Sequence, residues 1–354
     1  MSATQATVMP VGVVLAGGVR GGTYAELSRQ IRQAGLLRRR RGYYAARIAV
    51  TAAWLAVGWA VFVLVGDSWW QLAVAVWLAV AFMQLGFVGH DAGHQQIFRR
   101  RWANNLVGLA CGNLGIGLSY AWWMDKHNRH HAHQNQEGRD PDLIVDPVAF
   151  TAGQASRRRG LGRLVVRWQG FLFVPLLMLE ALNMHVSSVR AVTGRAVRGR
   201  LRAVEAVLLA LHVGGYLTTV FLVLSPLRAV VFIAVHQALF GLYMGAAFAP
   251  NHKGMPVLTA DDDCDFLRRQ VLTARNVSGG WLVDTALGGL NYQIEHHLFP
   301  RMPRPNLRHA QQMIRTFCHL HDLPYVQTSL FGSWAKVLRH LHTIGRRPDT
   351  APQA

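Results

Sequence analysis

Four stretches of the 354-residue chain contain no Asp, Glu, Lys or Arg: 48–66, 69–89, 206–225 and 229–250. Each runs 19 to 22 residues, enough to cross a hydrocarbon core of about 30 Å as a helix. The first two are separated by Asp67 and Ser68, the last two by Pro226, Leu227 and Arg228. The pattern predicts four transmembrane helices in two tight hairpins. Two further apolar stretches, 106–118 and 171–184, are too short to span and are expected at the membrane interface.

Charge changes the picture next. Lys and Arg total 37 against 18 Asp and Glu, a net +19. So strong a positive balance invites a nucleic-acid reading. Its distribution favours a membrane protein instead, because the basic runs flank and separate the apolar stretches. They are Arg38 to Arg41, Arg99 to Arg101, Arg157 to Arg159 and Arg346-Arg347, whereas the two hairpin turns are nearly uncharged. Since positive loops stay cytoplasmic, both termini and the central segment are expected on the cytoplasmic side, with no nucleic-acid partner. Nothing in the first 20 residues has the pattern of a cleavable signal peptide. The expected organisation is a cytoplasmic leader over 1–42, mobile over 1–30, a membrane domain over 43–325 and a basic cytoplasmic tail over 326–354. Three cysteines exclude a disulfide scaffold.

Histidine, at 17 residues, carries the candidate chemistry. The second apolar stretch runs into His90-Asp91-Ala92-Gly93-His94, whose spacing of four puts two rings on one helix face. His127, His130 and His131 form a second cluster, and Gln293, His296 and His297 repeat its spacing with glutamine first. His252 follows the fourth stretch. All fall on the side that the arginines assign to the cytoplasm. Neutral imidazole is the commonest metal ligand, and eight candidates (His90, His94, His127, His130, His131, His252, His296 and His297) exceed the four that one tetrahedral ion needs. Two metals are therefore expected, with Asp91, Asp140, Asp142 and Glu295 as acids that orient the rings. His212 and His236, inside apolar stretches, are expected to be neutral packing residues, and His185, His309, His319, His321, His340 and His342 to lie on the surface. Trp122 and Trp123 are expected either to line the site or to anchor it at the interface.

The clusters HDAGH at 90–94, HNRHH at 127–131 and QIEHH at 293–297 resemble the three histidine boxes of the membrane fatty acid desaturase family. The extended third box, GGLNYQIEHHLFPRMPRPNL, and the segment FAPNHKGMP at 248–256 resemble the branch of front-end and bacterial acyl desaturases. The resemblance covers roughly 40–325. It implies an all-α integral membrane protein, with a cytoplasmic helical cap carrying a pair of non-haem irons. Ligands would be the box histidines, with His252 as the extra ligand before the third box and Gln293 and Asn251 as a further ligand or support. It departs from animal acyl-CoA desaturases in having Gln293 for a histidine and Phe248 for an asparagine four residues before His252.

The resemblance further implies O2 as co-substrate, a fatty acyl substrate carried as acyl-CoA or acyl-lipid, and a cis double bond as product. Neither terminus shows the His-Pro-Gly-Gly of a fused cytochrome b5. Electrons are then expected from a separate ferredoxin or flavoprotein reductase. The expected location is a bacterial plasma membrane with the active site cytoplasmic. A di-iron hydroxylase or ketolase would share the same centre and differ only in product. A metal transporter would need ligands along the membrane path, and these clusters gather at helix ends.

Overall fold

The computed structural model describes residues 22–194, 196–259, 262 and 264–346. Fifteen α-helices are seen among them, α1 Gly22–Gln33, α2 Arg41–Val65, α3 Gln71–Gly93, α4 Arg101–Leu109, α5 Tyr120–His133, α6 Ala152–Ser156, α7 Gly160–Leu177, α8 Glu180–Thr193, α9 Gly199–Val223, α10 Pro226–His252, α11 Phe266–Leu272, α12 Trp281–Ala286, α13 Gln293–Leu298, α14 Arg304–Leu320 and α15 Leu330–Arg346. A π-helical segment, Ala110–Gly115, extends α4. Two three-residue strands, β1 Asn276–Ser278 and β2 Gln327–Ser329, pair in parallel with Asn276 opposite Gln327. This small sheet is the departure from the all-α expectation, and three residues are too few to leave a readable period in the sequence.

Helices α2, α3, α9 and α10 are long and apolar enough to cross a membrane. They overlap the four expected stretches, and each helix is two to six residues longer than its stretch, with three of them ending or starting one or two residues inside it. Apolar side chains such as Leu64, Leu222 and Val57 on these helices remain exposed. The core between the hairpins is aromatic: Phe62, Tyr216 and Phe232 pack with Leu78 and Val220. At the tight turns, Asp67 accepts hydrogen bonds from the Ser225 backbone N–H (2.9 Å) and pairs with Arg228 at 2.5 Å, tying one hairpin to the other. The two short apolar stretches do not form single spanning helices. The first is α4 with its π segment, closing at Gly117 with φ 70°. The second is broken between α7 and α8, whose axes differ by 76°.

Helical segments cap the ends of α3 and α10. Residues 22–33 of the leader, expected to be mobile through residue 30, form α1, with Leu27 and Ile31 fully buried against Ile294, Leu298 and Phe299. That part of the leader is packed, while 1–21 lie outside the described residues. Residues 330–346 of the expected tail form α15, packed on α7, where Gln169 Nε2 donates to the Leu341 carbonyl at 2.9 Å. Arg347, the second residue of the terminal arginine pair, lies outside the described residues.

Candidate metal centre

Four elements bring the histidines together. His90 lies in the last turn of α3 and His94 caps it. His127, His130 and His131 share α5, whose N-terminus is held by the Ser119 side chain accepting from Trp122 N. His252 ends α10, and His296 and His297 lie on the short α13. The spacing of four meets its expectation, since the His90 and His94 rings are 4.7 Å apart.

The rings form two groups. His90, His94, His127 and His296 bring ligand nitrogens within 4.8 Å of one another, and so do His130, His252 and His297. His131 stands between them: its Nε2 is 3.1 Å from His127 Nε2, and its ring stacks on His297 at 4.1 Å. Each group could hold a metal ion. Nitrogens about 2.1 Å from one centre can be no more than about 4.2 Å apart, so groups whose nitrogens all lie within 4.8 Å are close to the reach of a single ion.

The chemistry of the donor set fits a metal. His90 Nε2, His131 Nδ1, His296 Nε2 and both ring nitrogens of His297 are buried without a hydrogen-bond partner. A buried polar atom left unpaired costs about 1–3 kcal/mol, and a neutral imidazole has one lone pair, so these four rings call for a ligand that accepts one lone pair from each. Burial, reinforced by the positive charge neighbouring rings would carry, holds His94, His127, His131, His296 and His297 well below the ordinary histidine pKa. They are neutral, the form that binds metal.

His130 is different. Burial opposes its charged form, but the carboxylates of Asp140 and Asp142 outweigh burial and raise its pKa. Its Nδ1 lies 3.0 Å from Asp140 Oδ1, which leaves Nε2 for the centre. Asp140 is itself fixed by the backbone N–H groups of Asn135 (2.7 Å) and Asp142 (2.9 Å). His252 likewise directs Nδ1 at the Thr273 carbonyl, at 3.1 Å.

The other expected supports divide. Asp142 is 3.5 Å from His130 Nδ1 and pairs with Lys126. Asp91 lies 3.4 Å from His90 Nδ1 and forms a buried ion pair with Arg304 at 2.7 Å. Glu295 does not orient a ring. Its carboxylate accepts from Asn276 Nδ2 (2.6 Å) and the Tyr325 hydroxyl (2.7 Å), and burial pushes its pKa up to about 7. It fastens α13 to β1, because Asn276 Oδ1 also accepts from Ile294 N. Gln293 places its Nε2 2.8 Å from His252 Nε2, while Asn251 Nδ2 donates to the Gln293 Oε1 at 3.3 Å. The glutamine is therefore at the centre with its oxygen turned toward Asn251.

Several partners had no sequence signal pointing to them. Arg304 reaches Asp91 from more than two hundred residues away. Thr273 supplies only a backbone carbonyl. Asn135, at a left-handed φ of 50°, donates to the carbonyls of His252 and Pro256 and shapes the turn that returns Asp140 to His130; the QNQ run at 134–136 was its available signal. Of the remaining histidines, His212 and His236 are packing residues as expected, bonded to the Leu114 carbonyl and the Tyr216 hydroxyl. His309 and His319 are exposed. His185 and His340 are not surface residues: His185 is half-buried between the Gly117 carbonyl and Gln237, and His340 bonds the Phe150 carbonyl. Trp123 stacks on His127 at 4.5 Å and so lines the site.

Two cavities meet at the centre. One is bounded by Met83, Phe87, Phe240 and Met244, with Gly86, Gly89, Gly108 and Gly112 also lining it. The other touches His127, His130, His252 and His296 and carries Lys126, Asp142, Glu180 and Lys253. His90, Trp123, Met184, Met244 and Phe248 border both. Phe248, where related enzymes place an asparagine, is thus a wall of the junction. The result is a slot, apolar at one end and charged at the other, with the histidines along the charged part and His90 at the junction.

Comparison with known proteins accords with this site. The fatty acid desaturase family model matches residues 67–329. The chain is 31% identical over 280 residues to an acyl-lipid (9-3)-desaturase of Physcomitrium patens, covering 77% of this chain and 53% of that protein. It is 31% identical over 291 residues to a Delta(8)-fatty-acid desaturase of Euglena gracilis, covering 78% and 68%. A Delta(6)-fatty-acid desaturase of Caenorhabditis elegans is 32% identical over 289 residues, covering 78% and 65%. The chain spans about half to two thirds of the length of these relatives, all three of which are eukaryotic. A match over three quarters of the chain, with the three histidine boxes inside it, places the chain in the fatty acid desaturase family.

Proposed function

We propose that the chain is a membrane-bound, O2-dependent fatty acyl desaturase that inserts a cis double bond at a di-iron centre. The ligands in this reading are His90, His94, His127, His130, His131, His252, His296 and His297, with Gln293 beside them. The observation that carries it is the meeting of two buried groups of histidines with a slot that is apolar at one end. Two irons bound there would supply, with O2, two electrons and two protons, the oxidant that takes two hydrogens from neighbouring methylenes and leaves an alkene and two waters.

The protein's part is placement, because neighbouring methylenes are chemically alike. Met83, Phe87, Phe240 and Met244 hold the chain and keep water away. Trp123 and Phe248 border the junction, where the reacting carbons pass the histidines. Asp140 and the Thr273 carbonyl keep the rings of His130 and His252 turned toward the centre, and Asp91 does so more loosely for His90. The substrate in this reading is an acyl-CoA or an acyl-lipid, and a ferredoxin or flavoprotein reductase brings the electrons. An acidic donor suits the basic flanks. The same flanks favour the cytoplasmic side for the centre, and the membrane in this reading is a bacterial plasma membrane. The desaturase unit is 43–325, with α1 and α15 packed onto it from either side.

The test is the fatty-acid profile, with double-bond positions, of cells expressing the chain with a ferredoxin and its reductase. A new cis alkene that is missing with His297→Ala supports the reading. A hydroxylated product would replace it with a hydroxylase at the same centre.

A further inference from the structure

The charged end of the slot has a feature that neither ligation nor folding uses. Lys126 and Lys253 both border the second cavity, on the same side as Phe150 and Glu180. Lys126 is neutralised by Asp142. Lys253 is not neutralised in this way: among the described residues no carboxylate lies within ion-pair distance of its ammonium. It donates one hydrogen bond to the Asp142 backbone carbonyl at 2.7 Å and sits 4.3 Å from the centre of the Phe150 ring. An ammonium carries three donors; one goes to the Asp142 carbonyl and one side faces the Phe150 ring, so one donor remains for the cavity. A half-buried cation with a donor to spare is costly unless something completes its shell.

An acyl chain has one group able to do so, its carbonyl oxygen. Lys253 also follows His252 directly in the chain, so the ammonium and the centre are tied together through one rigid helix end. We propose that Lys253, with the Lys126–Asp142 pair beside it, seats the acyl carbonyl oxygen and thereby fixes how many carbons separate it from the new double bond. The inference rests on the desaturase reading above and adds that the position is counted from the carbonyl end. The apolar lobe then receives whatever length of chain remains. The carbonyl of a phospholipid ester and that of a thioester present the same acceptor, so either carrier fits the seat.

The experiment uses membranes holding the full chain with a reduced ferredoxin system. Acyl chains of several lengths are supplied in one arm as phosphatidylcholine and in the other as CoA thioesters. Double-bond position, KM and metal content are read for the wild type, Lys253→Met, Lys253→Arg and Lys126→Met. The wild type is expected to keep one distance from the carbonyl at every chain length, and the arm that turns over identifies the carrier. Lys253→Met should give displaced or mixed positions and a KM raised roughly tenfold or more, as the loss of a hydrogen bond to a charged group implies, at unchanged metal content. Lys253→Arg should recover one position. A wild type that counts from the methyl end, or a metal-replete Lys253→Met with the original position and KM, overturns the proposal. If Lys253→Met fails to hold metal, Lys126→Met decides on the same readouts. A wild type that makes no alkene in either arm refutes the desaturase reading itself, whatever the lysines do.

Discussion

Asp140→Asn isolates the contribution of a residue that touches no metal. Asp140 is completely buried and receives three hydrogen bonds, from His130 Nδ1, Asn135 N and Asp142 N. Asparagine has the same shape, so the turn from 134 to 140 can keep its course. What disappears is the negative charge behind His130, together with one acceptor oxygen, since an amide NH2 can only donate. His130 then becomes a poorer ligand and a less well-directed one. Loss of a partner of this kind costs about 10- to 100-fold in metal affinity, or roughly 1.4–2.8 kcal/mol. The loss should fall on the group of His130, His252 and His297 and spare that of His90, His94, His127 and His296. Titration of the metal-free protein with iron(II) against a competing chelator should give one unchanged and one weakened equivalent. Two equivalents of wild-type affinity would refute the role given to Asp140, and equal weakening of both would refute the division into groups.

Other consequences follow from the same geometry. Arg304→Met strands Asp91 as a buried charge, and breaking such a pair costs about 3–5 kcal/mol; the thermal midpoint in detergent should fall steeply, and a change within error would deny the pair its role. Gly86→Leu extends a side chain into the apolar lobe, where a Cβ would meet only the Ile116 Cδ1 at 3.6 Å. Acyl products should shift to shorter chains, and an unaltered length profile would show that the lobe does not hold the tail. The depressed histidines set a pH dependence for the metal-free protein. Their folded-state pKa lies below the unfolded value of about 6.5, so the unfolded chain binds more protons in between. Stability is therefore present above that value and lost as pH falls through it. Denaturant midpoints at pH 7.5 and pH 5.5 should differ in that order, and greater stability at the lower pH would contradict it.

The four long apolar helices and the histidine boxes were legible because each rests on a local rule. A strongly apolar run of about 20 residues is long enough to cross a bilayer as a helix, and a spacing of three or four puts side chains on one helix face. His252 also came from local sequence, being placed at the end of the fourth stretch. What was not legible depended on where chain segments meet. Asp140 and Glu295 are both acids near a box, yet one turns to a ring and the other to Asn276 and Tyr325. That difference arises from a turn at Asn135 and from a strand pair closed between 276 and 327. Arg304 and Asp91 are neighbours only because the first residue of α14 reaches the end of α3, where it also donates to the Phe87 carbonyl. Leu27 and Ile31, four apart, did carry a helical signal within the leader, and their partner surface on the third box explains why that helix is ordered. The inward position of His185 reflects the bend between α7 and α8, which composition alone does not fix.

The central claim is that two groups of histidines hold two irons in one chain, and counting them tests it most directly. Iron would be quantified per chain in the purified wild type, in His94→Ala from one group and in His252→Ala from the other. The account predicts two irons in the wild type and, in each variant, weakening confined to the equivalent whose group was altered. A wild type that binds one iron or none after anaerobic reconstitution, or variants that keep both equivalents, would contradict it.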